Sequence, residues 1–119
     1  MSPIGYFTAE IGLWSELHTY SGGLGVLAGD HVKSAADAGI PLVAVTLLYH
    51  QGYARQHIDN AGIQTETFPE LDMNRLLTKT DIVLNLELDG KPLFAYVWMA
   101  EIRGQSGHMV PVYFMDTRH

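Results

Sequence analysis

The stretch of this sequence best suited to bind a ligand is YSGGLGVLAGDH, at residues 20–31. Gly22, Gly23 and Gly25 lie within four positions, and a helix-like pattern begins directly after them. Without a Cβ, a ligand can approach the main-chain amides closely, and a helix N-terminus adds unpaired N–H groups and a positive dipole end. The turn therefore suits phosphate or another anion. The alternative is a tight strand-to-helix turn that binds nothing, and both interpretations fit these residues.

Glu10 is the second residue with a candidate chemical role, because it ends the first predicted strand beside the glycine turn. Ligands of open α/β sheets bind at this position, and a carboxylate there can act as an acid or base or hold a sugar hydroxyl. The alternative is a surface carboxylate that only caps the neighbouring glycine amides. A glycosidase pair of Glu10 and Glu16 is conceivable, although their spacing fixes no separation between the carboxylates.

Other chemistries have weaker support. GLGVLA, at residues 23–28, satisfies the dinucleotide fingerprint, but the second predicted strand ends LLYHQ, without the acidic residue that would bind a ribose. No G-K-[ST] motif is present, which excludes a nucleoside-triphosphate loop. The six histidines lack metal-ligand spacing, and with no cysteine there is no thiolate chemistry. We expect His31 to be a hydrogen-bonded core residue and Trp14 and Trp98 to be packing residues. A polar-aromatic group near the end of the second strand could line a sugar site or only bridge core and surface: Tyr49, Tyr53, Arg55 and Gln56.

Composition narrows the class of protein. A chain of 119 residues with 47% hydrophobic and 17% charged residues is typical of one globular domain. The net charge of −6 argues against nucleic-acid and anionic-membrane partners. There are only seven Lys and Arg residues, so a bound anion would depend on backbone dipoles or on cations from elsewhere. No apolar run is long enough to span a bilayer, and the start of the sequence is not a secretory signal.

The first half of the chain predicts a βαβ unit. A strand is expected from Ile4 to Ala9, a helix from Gly23 to Ala38 and a second strand in PLVAVTLLY, as in a parallel sheet covered on both faces. The helix has two predicted faces. The apolar face comprises Leu24, Leu27, Ala28, His31, Val32 and Ala35, and the polar stripe comprises Asp30, Lys33, Ser34 and Asp37.

The second half predicts mainly antiparallel β-structure added to the edge of this unit. Strands are expected near 52–59, 82–88, 93–102 and 109–115, with turns at 60–62, 89–90 and 104–107. FPELDMNRLLTKT, at residues 68–80, is expected to be mostly loop. The predicted fold class is mixed α/β.

Several runs resemble the α-glucan (glycogen and maltodextrin) phosphorylases, most of all their shorter bacterial and archaeal branch. They are YFTAEIGL at 6–13, YSGGLGVLAGDHVKSAADAGIPLV at 20–43 and LLYHQGYARQHID at 47–59. Weaker matches follow in FPELDMNRL and VPVYFMDT. The resemblance covers nearly the whole chain, and the glycine run in its flanks is quite specific.

The resemblance implies that residues 1–119 form a single, partial N-terminal domain of a GT-B-type glycosyltransferase with two Rossmann-like domains. It implies reversible phosphorolysis of an α-1,4-glucan end, releasing glucose 1-phosphate with retention, and a cytoplasmic enzyme. By position, the amides of Gly22, Gly23, Leu24 and Gly25 would face the substrate phosphate and the phosphate of pyridoxal phosphate, which would act as a proton donor or relay. Glu10 matches the glutamate at the floor of the glucosyl pocket, the one catalytic position carried over.

The chain departs from the family pattern in several places. Trp14 stands where the short branch often has histidine, and His18 where it has proline. Lys33, Lys79 and Lys91 do not lie in a context resembling the lysine that binds the cofactor. That lysine and the phosphate-binding basic residues are expected in a C-terminal domain outside these residues. We therefore expect an excised fragment or a truncated gene product that does not catalyse alone.

Other functions stay open at this stage. A stand-alone module could bind glucose 1-phosphate or phosphate at the glycine turn without catalysis. A GT-B synthase that uses a nucleotide sugar would typically carry lysine two residues before the glycine pair, where this chain has Tyr20. A dinucleotide oxidoreductase ranks last. An incomplete sheet would also leave strand edges exposed, which favours a homo-oligomer of the isolated chain.

Overall fold

The computed structural model describes residues 2–15, 17, 19–49, 55–67 and 76–117. The predicted βαβ unit is present. Strand β1 (Ile4–Phe7) pairs in parallel with β2 (Leu42–Leu47), and helix α1 (Gly23–Asp37) connects them. Gly39, with a φ of +70°, follows the helix and ends it, as a glycine beyond a helix C-terminus commonly does.

The second half of the chain extends this unit into one mixed sheet. Strands β5 (Thr78–Leu88), β6 (Lys91–Arg103) and β7 (Met109–Asp116) are antiparallel to each other. β7 also pairs in parallel with β2, which gives the strand order β1-β2-β7-β6-β5. The mixed α/β class and the antiparallel extension are therefore confirmed.

Two short strands and two tight turns complete the described chain. β3 (Arg55–Ile58) and β4 (Gln64–Thr67) form a separate hairpin, of which only the first strand was predicted. Asp89 and Gly90 have φ values of 53° and 74°, as expected in a type I′ turn between β5 and β6. The prediction of a loop over 68–80 is wrong at its end, because β5 begins at Thr78 and pairs there with Met99. Residues 68–75 lie outside the described part.

The prediction for the buried face of α1 is partly wrong. Leu24 and Leu27 are 57% and 65% exposed, and His31 is exposed with its ring 4.8 Å from that of Tyr6. The buried face contains instead two glycines and small apolar residues: Gly25, Ala28, Gly29, Val32, Ala35 and Ala36. Small residues let the helix lie close to the main chain that precedes it, which turns the larger side chains outward. The predicted polar stripe is exposed.

The core lies between α1 and one face of the sheet, and the other face is open among the described residues. Phe114, Val110 and Val112 of β7 are fully buried on the α1 side. On the opposite face a groove is lined by Val45, Ile82, Leu84, Val97, Tyr113 and Met115. The expected covering of both faces is therefore present on one face only within the described part of the chain. No helix of that part is long and apolar enough to cross a membrane.

Candidate anion site at the glycine turn

The candidate site lies at the carboxyl edge of the parallel strands. The chain leaves β1 at Thr8, β2 at Leu48 and β7 at Thr117, and parallel strands end at the same edge of a sheet. Tyr49 connects two of these ends, since its hydroxyl donates to the carbonyl of Ala9 at 2.9 Å. Edges of this kind are where α/β folds bind their ligands.

Glu10 lies in this edge and contacts the glycine turn directly. Its side chain is buried, at 8% exposure, and both carboxylate oxygens accept main-chain hydrogen bonds. The N–H of Ser21 donates to Oε2 at 3.1 Å, and the N–H of Gly25 donates to Oε1 at 3.0 Å. The capping interaction considered from the sequence is therefore present, but the carboxylate is buried and not at the surface.

The loop between β1 and α1 is joined to the helix by further main-chain contacts. The N–H of Gly12 donates to the carbonyl of Gly25 at 2.8 Å. Within the loop, the hydroxyl of Thr19 donates to the carbonyl of Ile11 at 2.7 Å. A Cβ at Gly25 would overlap the side chain of Tyr20, and a Cβ at position 29 would overlap the carbonyl of Gly12. These two helix glycines are therefore required by packing within the chain.

Gly22 and Gly23 differ from the two helix glycines. A Cβ at either position would meet no atom within 4 Å, so no packing contact of the described chain requires glycine there. Gly22 is the N-cap of α1 in extended conformation and, as a glycine, has no side chain of its own to cap the helix. The N–H groups of the first helical turn have no acceptor within the helix. A helix N-terminus with free space beside the Cα atoms of its first residues is the geometry that an anion needs.

Not every predicted site residue is available to a ligand or described by the structure. Gly25 donates its N–H to Glu10, which leaves Gly22, Gly23 and Leu24 as the predicted anion-binding positions without that bond. Glu16 and Tyr53 lie outside the described residues, as do the side chains of Arg55 and Gln56. The structure therefore does not describe the proposed glutamate pair or most of the polar-aromatic group.

One buried polar contact at the same edge was missed from the sequence. The indole N–H of Trp98 donates to Oδ2 of Asp116 at 3.3 Å, with both residues buried. Trp98 is therefore a packing residue, as predicted, that also holds a carboxylate at the end of β7. The sequence feature that could have indicated this contact is the position of Asp116 at the end of the apolar run of β7. A buried acidic residue needs hydrogen-bond partners.

The described residues offer no metal site and few cations near the turn. No group of three or more His, Asp or Glu residues within the described ranges could hold a metal ion. Lys33 lies ten positions after Gly23 in the same helix, roughly 15 Å along its axis. Lys79 lies over the ring of Tyr96, 4.5 Å from its centroid, and Lys91 begins β6 at the hairpin turn.

Comparison with known proteins found relatives along most of the chain, although no family model matches it. The glycogen phosphorylase of Mycobacterium tuberculosis (strain CDC 1551 / Oshkosh) is 43% identical over 96% of this chain and 14% of its own length. The maltodextrin phosphorylase of Thermococcus litoralis is 48% identical over 80% of this chain and 11% of its own. The glycogen phosphorylase of Aquifex aeolicus is 37% identical over 83% of this chain.

The Mycobacterium alignment covers 96% of the chain, so it includes the glycine turn and the strands of both halves. The chain spans 11–14% of the length of these three relatives. The resemblance seen in the motifs is thereby confirmed: the chain is a homologue of the glycogen and maltodextrin phosphorylases and corresponds to one segment of them.

Proposed function

We propose that this chain is a segment of an α-1,4-glucan phosphorylase that contributes phosphate-binding amides to the active site. In the complete cytoplasmic enzyme, a glucosyl unit would pass between a glucan end and phosphate, giving glucose 1-phosphate. The observation that carries the proposal is the open glycine turn at the carboxyl edge of the sheet. Identity of 37–48% to phosphorylases over most of the chain supports it.

The turn fits a phosphate group for reasons of space and charge. Gly22 and Gly23 leave room for a ligand to reach the main chain, and the N-terminal end of α1 carries partial positive charge. Preorganised N–H dipoles of this kind stabilise charge that develops on a transferring group. Because the net charge is −6, backbone dipoles would carry much of the attraction within this segment, with further cations coming from outside it in the complete enzyme.

The same turn fits the phosphate of pyridoxal phosphate, because main-chain N–H donors discriminate little between one phosphate and another. When bound, that cofactor supplies a phosphate group able to give or accept a proton beside the substrate phosphate. Gly22, Gly23 and Leu24 would bind one or both groups through N–H donors, and Glu10 would lie beside the glucosyl pocket. The lysine for covalent attachment, the GT-B cleft and the second Rossmann-like domain belong to the remainder of the enzyme in this proposal.

A titration of the ¹⁵N-labelled chain with inorganic phosphate tests the proposal. We expect saturable shifts of the Gly22, Gly23 and Leu24 amides in the millimolar range, without release of glucose 1-phosphate from maltodextrin. Shifts spread over the whole surface, or absent from the turn, would contradict the proposed site. A second candidate is a stand-alone sugar-phosphate-binding module, which is favoured by the fact that contacts within the described chain hold the turn. Tight binding of glucose 1-phosphate by the chain alone would support this candidate.

A further inference from the structure

Glu10 connects the two sides of the glycine pair. Its Oε2 accepts the N–H of Ser21, which precedes Gly22, and its Oε1 accepts the N–H of Gly25, which follows Leu24. The two anchored amides therefore enclose the three positions assigned to anion binding. The carboxylate fixes both ends of the turn and uses neither the Gly22 nor the Gly23 amide.

A carboxylate is the side chain that this geometry requires. Both of its oxygens face N–H donors, and an ionised carboxylate accepts at both oxygens. Glutamine keeps the size of the side chain but presents an NH₂ group to one of the two donors. The Glu10→Gln variant therefore loses one of these two hydrogen bonds and leaves one main-chain N–H facing another donor.

From this geometry we infer that Glu10 is a positioning residue, whose carboxylate holds the Gly22–Leu24 amides in the orientation that receives a phosphate. The inference rests on the proposed function, since it assigns the residue that builds the proposed site. Glu10 acts in it through the backbone of the turn and not through proton transfer.

Because Glu10 is charged, the direction in which its replacement changes the affinity for phosphate tests the inference. A carboxylate close to a bound phosphate repels it, and like charges disfavour each other more strongly in a partly buried site. If Glu10 acted only through its charge, removing that charge would tighten phosphate binding. If Glu10 positions the amides, Glu10→Gln weakens phosphate binding although the repulsion is gone. The two roles therefore predict opposite changes.

The test measures inorganic phosphate binding by amide shifts in the wild-type chain, Glu10→Gln and Thr19→Val. Thr19→Val is the matched control, because it removes another buried hydrogen bond from the same loop without touching the glycine turn. We expect Glu10→Gln to weaken phosphate binding at least about tenfold and Thr19→Val to change it less than about twofold, even where both variants lose similar stability. Equal or tighter binding by Glu10→Gln, or equal weakening in both variants, overturns the inference.

Amide hydrogen exchange separates this inference from the proposed function. In the wild-type chain without phosphate, we expect the Ser21 and Gly25 amides to exchange at least about tenfold more slowly than those of Gly22 and Gly23. Absence of phosphate binding to the wild-type chain, together with this exchange pattern, refutes the proposed function and keeps the positioning geometry. Uniform exchange across the turn refutes the positioning role, and this measurement stands even if Glu10→Gln fails to fold.

Discussion

Replacing Gly29 by alanine should destabilise the chain, because α1 and the preceding loop approach closely at this residue. An added Cβ would overlap the main-chain carbonyl of Gly12, which cannot rotate away as a side chain could. The helix must therefore move outward, at an overpacking cost of about 1–3 kcal/mol. The movement also strains the hydrogen bond from Gly12 to Gly25, worth about 1 kcal/mol. The higher helix propensity of alanine offsets about 1 kcal/mol of this loss.

The expected net loss is about 1–3 kcal/mol in the free energy of unfolding for Gly29→Ala. Gly23→Ala is the control, since its new Cβ meets nothing within 4 Å and its effect should stay within about 0.5 kcal/mol. Urea denaturation followed by far-UV circular dichroism measures both variants against the wild type. If Gly29→Ala proved as stable as Gly23→Ala, the close contact between α1 and the loop would be refuted.

Three further predictions concern the sheet. Phe114→Ala removes a fully buried side chain and should lower the free energy of unfolding, measured by urea denaturation, by about 3–5 kcal/mol. Phe7→Ala, at a position that is 76% exposed, should lower it by less than about 1 kcal/mol. Similar losses in the two variants would contradict the placement of the core. Trp98→Phe removes the donor to Asp116 and should cost about 1–2 kcal/mol by the same assay, and an unchanged midpoint would show that this bond contributes nothing. Met115→Glu places a charge in the open groove and should lower the fluorescence of bound anilinonaphthalene sulfonate at unchanged circular dichroism; undiminished fluorescence would mean that the dye binds elsewhere.

The strands and the helix were largely predictable because their signals are local. The apolar run of β2 and the Asp89-Gly90 turn follow from hydrophobic pattern and turn chemistry. The rotation of α1 was not predictable in this way. A count of apolar residues favours Leu24 and Leu27 for the core, whereas Gly25 and Gly29 enter it because main chain packs against them. That contact depends on how the loop folds back and not on any local pattern.

In the candidate site, too, the features with a local signal were predictable and the contacts between distant residues were not. The glycine turn and Glu10 were identified from residue types and spacing, since bare amides after a strand suit an anion. Their mutual hydrogen bonds link residues 11 and 15 positions apart and appear only when β1 and α1 are assembled. The bond between Trp98 and Asp116 spans two strands and likewise has no signal in either strand alone. The beginning of β5 in polar residues was missed because pairing with β6 determines it.

The most direct test of the account is a chimera with the maltodextrin phosphorylase of Thermococcus litoralis, in which this chain replaces the matching segment. The 95 aligned residues are 48% identical, so the replacement should fold against the remainder of that enzyme. The measurement is phosphate-dependent release of glucose 1-phosphate from maltodextrin, by the chimera and by the chimera that carries Gly23→Ala. We expect the chimera to be active and Gly23→Ala to lower its activity at least about tenfold. A folded chimera with the cofactor bound but without activity, or one indifferent to Gly23→Ala, would contradict the account.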